Sequence, residues 1–189
     1  MCVFCASSLT IDQRYLELAS TVGTAVAERG WTLVSGAGSI SMMGEVARSA
    51  RAAGGHTIGV IPEALVAMEV ADRESDEFIV TRDMRQRKGI MDERSDAFLA
   101  LPGGIGTLEE LVEVWTARSL NMHHKPVVIL DPWDDYRHLR SLIDHWIEIG
   151  MVKERAASHV HWATDVTQAL DEIAASLRRA DTTRDGMTA

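Results

Sequence analysis

Residues Leu99–Glu113 read LALPGGIGTLEELVE. The apolar run stops at Pro102, three glycines follow (Gly103, Gly104 and Gly106), and Thr107 then opens a segment with helical spacing. An apolar run, a glycine turn and a helix in that order make a strand–loop–helix unit. The free N–H groups and dipole of a helix start favour an anion, and glycines let it approach the backbone closely. Thr107 can cap the helix and donate to a phosphate oxygen. The alternative for the stretch alone is a tight strand-to-helix turn without a ligand. It lacks the third glycine of a dinucleotide fingerprint, since Glu109 stands there, and no G-K-[ST] follows.

The same alternation runs through the chain. Strand-like runs occur at MCVFCASS, WTLVSG, HTIGVIP, FIVTR, AFLALPG, KPVVILD and HVHWAT, with helical segments between most of them. Thr10 and Gln13 have capping-box spacing ahead of the first helix. This pattern predicts α/β architecture: a single Rossmann-like domain over residues 1–180, with a mostly parallel sheet and helices on both faces. Residues 181–189 are expected to form a disordered tail. Ligands of such sheets bind at the carboxyl ends of the strands, near the switch point of the strand order.

The 189 residues include 46% hydrophobic and 25% charged ones, and the formal net charge is -9. That balance argues against non-specific nucleic-acid binding. No apolar run approaches the ~20 residues of a membrane span. The N-terminus lacks the positive region of a signal peptide, so a cytoplasmic location is expected. Cys2 and Cys5 form a C-x-x-C, but residues three apart on a strand face opposite ways, and no second pair completes a zinc site.

Three further elements carry chemistry. SGAGSISMMG, residues 35–44, is a second glycine-rich loop: Gly36 permits close backbone approach, and Met43 offers an apolar wall. MRQRKGIM, residues 84–91, places Arg87 and Lys88 just after a strand, where arginine suits bidentate contacts or simply a solvated face. Glu110, three residues past Thr107, is expected in the first helical turn, ionised near the positive end of the dipole. A carboxylate beside a guanidinium over a phosphate cradle suits cleavage at a sugar carbon, where positive charge develops. No obvious donor protonates a leaving base; Asp83 or solvent are the options. Met42, Met91 and Trp115 suit either an apolar pocket or the core.

Together, PGGIGTLEE with the upstream RK, and the landmarks VFCASS, GVIP, SDAFLALPGG and KPVVILD, resemble the Lonely Guy family of cytokinin riboside 5'-monophosphate phosphoribohydrolases. The likeness runs from about Cys2 to Leu142. It implies a Rossmann-like homodimer that hydrolyses the N-glycosidic bond of N6-modified AMP, without metal or organic cofactor. By resemblance, Arg87 and Glu110 match the catalytic pair. Lys88, Gly103, Gly104, Gly106 and Thr107 match substrate-binding positions, as do Glu69 and Thr116. The family usually shows Y-G-G-G-x-x-G-L-M-G where this chain has SGAGSISMMG, so Ser35, Ala37 and Ser41 are departures. Ala37 would be strained at positive φ. Two alternatives remain: a nucleosidase for AMP or other nucleoside monophosphates, and a non-catalytic carrier of a nucleotide-like ligand such as molybdenum cofactor. Lysine decarboxylase, a common label for such chains, fits poorly, because only Lys88, Lys125 and Lys153 could form a Schiff base.

Overall fold

A computed structural model describes residues 1–66 and 71–185, with backbone alone for 180–185. Seven strands, β1 (Cys2–Phe4), β2 (Leu33–Ser35), β3 (Thr57–Pro62), β4 (Glu77–Thr81), β5 (Phe98–Ala100), β6 (Val127–Leu130) and β7 (Val160–Ala163), form one sheet in the order β4-β3-β2-β1-β5-β6-β7. Every pairing is parallel. The chain winds outward from β1 to β4, returns, and winds the other way from β5. The switch point therefore lies between β1 and β5, and the loop beginning at Leu101 opens there.

The strands are apolar runs because both faces are covered. Along β1, Cys2 and Phe4 enter one core while Val3 and Cys5 enter the other. The cysteines thus face opposite ways, both buried and free. Among the described residues no group of three or more His, Cys, Asp or Glu side chains is placed to hold a metal. Helices α1 (Gln13–Glu28), α2 (Ser41–Ala52) and α8 (Val166–Asp185) cover the first face through Val22, Val46 and Leu170. The second is covered by α4 (Met84–Glu93), α5 (Ile105–Ser119) and α6 (Arg137–Glu148), through Met91, Leu111 and Ile143. Short helices α3 (Glu63–Val66) and α7 (Glu154–Ala157) complete the set among the described residues. Among the described residues no helix is long and apolar enough to cross a membrane.

Local details differ from expectation. Asp12, not Thr10, caps α1, accepting from the Arg14 N–H at 2.9 Å. α7 carries no sequence signal strong enough to separate it from the loop before β7. α8 continues to Asp185, into the stretch expected as a tail, and residues 186–189 lie outside the described set. Met42, Met91 and Trp115 are core residues.

Candidate active site

The site is built on α4 and α5. Asp83 caps α4 by accepting from the Gln86 N–H at 2.9 Å, which occupies the carboxylate considered as a proton donor. One turn on, Arg87 points inward and is only 6% exposed. Its Nε donates to the Val60 carbonyl at 3.1 Å and its Nη1 to Glu110 Oε1 at 2.8 Å. Glu110 is 8% exposed. The two charges, 23 residues apart in sequence, thus form a buried ion pair between neighbouring helices. Lys88 Nζ bonds Glu109 at 2.5 Å and Glu113 at 2.8 Å, so the Arg-Lys pair of α4 faces three glutamates of α5.

α5 starts earlier than the sequence spacing suggests. Gly104 is its N-cap, with no side-chain cap, and Leu108 N–H makes the first helical bond, to the Gly104 carbonyl at 3.0 Å. Thr107 is therefore not the cap; it is buried in the first turn, against Gly103. A Cβ at Gly103 would stand 2.2 Å from Thr107 Oγ1, whereas one at Gly104 or Gly106 would meet nothing within 4 Å. The amides of Ile105, Gly106 and Thr107 precede the first intrahelical bond and have no intrahelical acceptor. This is the geometry of an anion cradle.

Glu110 consequently sits in the second turn, not the first. At a rise of 1.5 Å per residue its Cα lies ~9 Å along the axis from Gly104, and side chains lean back toward the N-terminus. Burial, rather than the dipole, governs its proton affinity. Desolvation pushes the carboxyl above its ordinary value, with the charge and hydrogen bond of Arg87 pulling the other way.

The second glycine loop stands behind Arg87. A Cβ on Gly36 would come 1.8 Å from Arg87 Nη2, and Met43 Sδ accepts the Gly38 N–H at 3.0 Å. Ala37 and Ser41 both have positive φ, 56° and 55°. The backbone thus keeps the left-handed shape at two positions where the family pattern carries glycine, and Ala37 bears the expected strain. Ser41 adds a contact that glycine could not make: its Oγ donates to the Ser8 carbonyl at 2.5 Å, tying the loop after β2 to the loop after β1.

A groove of about 590 Å³ runs between α4 and α5, lined by Lys88, Met91, Glu110, Val112 and Thr116 among others. Lys88, Glu110 and Thr116 line this groove, Arg87 reaches it through Glu110 with Gly36 and Met43 packed behind, and Thr107 lies apart from its lining, against Gly103. Glu69 lies outside the described residues. Sequence reasoning missed the Val60 carbonyl and Tyr136, whose hydroxyl donates to the Leu101 carbonyl at 2.8 Å. Neither contact has a motif, because each joins segments far apart in the chain.

Fold and site define a Rossmann-like α/β protein with an anion-receptive helix start beside a buried arginine–glutamate pair. A family model described as "Possible lysine decarboxylase" matches residues 43–173. The chain is 49% identical over 174 residues to a cytokinin riboside 5'-monophosphate phosphoribohydrolase of Mycobacterium tuberculosis, covering 92% of each. It is 43% identical over 156 residues to an Arabidopsis thaliana protein of that name, covering 82% of this chain and 73% of the other. Among solved structures, the molybdenum cofactor carrier protein of Chlamydomonas reinhardtii superposes with a TM-score of 0.70 at 27% identity, over 94% of this chain and 96% of that one. The chain belongs to the Lonely Guy family, the phosphoribohydrolases that also carry the decarboxylase description.

Proposed function

We propose that the protein hydrolyses the N-glycosidic bond of an N6-modified AMP, releasing the free base and ribose 5-phosphate. The observation that carries this reading is the buried Arg87–Glu110 pair beside an open anion cradle. The amides opening α5 hold the 5'-phosphate, and the ribose lies toward Glu110. The C1'–N9 bond breaks with its electron pair going to the purine, and positive charge grows at C1'. The Glu110 carboxylate stabilises that charge and takes a proton from the water whose oxygen bonds to C1'. The purine gains a proton from solvent. Arg87 fixes Glu110 and faces the sugar; Lys88 and Thr116 contribute binding contacts along the groove.

The relatives' printed names support this substrate class. The decarboxylase description does not fit Lys88, the lysine in the site. Burial lowers its proton affinity, but the hydrogen bonds of Glu109 and Glu113 outweigh that and hold the ammonium above its ordinary value. A Schiff-base lysine needs the opposite. A homodimer in the cytoplasm completes the reading: Val112, Leu120 and Met122, which line the groove, stand 44%, 65% and 75% exposed and offer an apolar surface to a second copy.

The test is direct. Purified protein is incubated with N6-isopentenyl-AMP and with AMP, and released base and ribose 5-phosphate are measured. Release chiefly from the prenylated substrate supports the proposal, and preference for AMP makes the protein a general nucleosidase. Release from neither, with a pterin-like chromophore co-purifying, transfers the fold to the carrier role of its structural neighbour.

A further inference from the structure

The loop that forms the cradle is held from outside. Tyr136 stands just before α6, 8% exposed, with its ring in the core on the α4–α5 face of the sheet. Its hydroxyl donates to the Leu101 carbonyl at 2.8 Å. Tyr136 is itself fixed by Asp131 at the end of β6. That carboxylate accepts the backbone N–H of Asp135 at 2.8 Å and of Tyr136 at 3.1 Å. Asp134, inside the turn, takes a positive φ of 61°. The contact reaches across two adjacent parallel strands, from the turn after β6 to the loop after β5.

We propose that Tyr136 is a positioning residue for the phosphate cradle. Its hydroxyl occupies the Leu101 carbonyl, three residues before the helix cap, and so holds the loop from which the amides that open α5 are presented to the ligand. This rests on the phosphoribohydrolase reading above. The geometry suits the role. The Leu101 carbonyl takes a donor, which a hydroxyl supplies and a phenyl ring does not. Burial pushes the phenol far above its ordinary value, so it remains a donor throughout the neutral range. Among the described residues, Tyr136 has no hydrogen bond to Arg87 or Glu110, so the cradle is affected separately from the chemistry.

The test is Tyr136→Phe, which keeps the ring in the core and removes only the oxygen. Three quantities are read: kinetics on N6-isopentenyl-AMP, calorimetric affinity for ribose 5-phosphate, and the thermal midpoint without ligand. The expected result is a rise in KM of roughly tenfold with kcat changed less than about threefold, and an equal loss of ribose 5-phosphate affinity. A purely structural role would lower the midpoint and leave affinity per folded molecule unchanged, and that result overturns the proposal. Wild-type protein that binds ribose 5-phosphate but hydrolyses nothing defeats the phosphoribohydrolase reading alone; the affinity loss in the variant then still decides the role of Tyr136. Should Tyr136→Phe fail to fold, Asp131→Asn loosens the turn while keeping the hydroxyl. A smaller affinity loss in the same direction supports the proposal, and none overturns it.

Discussion

Gly36 and Arg87 stand back to back: a Cβ on the glycine would come 1.8 Å from the Nη2 atom of the arginine. The guanidinium cannot retreat, because Nε is bonded to the Val60 carbonyl and Nη1 to Glu110. The second glycine loop therefore acts on the site through Arg87. Gly36→Ala is expected to displace Arg87 and lower kcat by at least about tenfold. Circular dichroism should show a native fold. Wild-type kcat in a folded Gly36→Ala protein would mean that the arginine's placement is not needed.

A different outcome is expected at Gly106, where an added Cβ meets no protein atom within 4 Å. Alanine in a helix is favoured over glycine by about 0.5–1 kcal/mol. Gly106→Ala should thus raise the thermal midpoint slightly while its methyl group intrudes on the phosphate position and raises KM. A stabilised variant with unchanged KM would place the phosphate elsewhere.

Lys88 separates binding from stability. Its partners Glu109 and Glu113 are 52% and 51% exposed, and ion pairs of that kind contribute less than about 1 kcal/mol. Lys88→Met should leave the denaturation midpoint nearly unchanged yet weaken substrate binding several-fold. If stability falls sharply and KM does not move, the lysine is a helix tie alone.

The pH profile follows from Glu110. Desolvation holds its carboxyl above the ordinary value despite Arg87, and the reaction needs it ionised. The acid limb of kcat should therefore fall above the usual carboxylate range, with activity lost as pH drops through it. The stability effect has the opposite sign. A raised carboxyl pKa favours the fold below the unfolded value, and that benefit disappears as pH rises through the folded one. At neutral pH the Glu110 charge is thus a strain on the fold. An acid limb at the ordinary carboxylate value would contradict this account of its burial.

Much of the fold was legible because a parallel sheet covered on both faces writes its strands as apolar runs, as at Val127–Leu130. The strand–loop–helix unit at Pro102 was legible for the same reason. The start of α5 was not: Gly104 caps without a side chain, so Thr107 carried the only visible signal. The Arg87–Glu110 pair came from family resemblance, because no spacing rule joins residues on two different helices. Tyr136 lies 35 residues from the carbonyl it holds, and nothing local in its sequence marks that contact. Ala37 is an instructive intermediate. The strain was readable from its Cβ, but that the backbone accepts φ 56° rather than relaxing is visible only in the fold.

Glu110→Gln is the most direct test of the central claim. The amide oxygen can still accept from Arg87, and the uncompensated part of the buried charge is gone, so the variant should be at least as stable as the wild type. It should bind ribose 5-phosphate normally, while turnover of N6-isopentenyl-AMP falls by about 10²-fold or more. Turnover close to wild type in that folded, binding-competent protein would show that the carboxylate does not perform the chemistry.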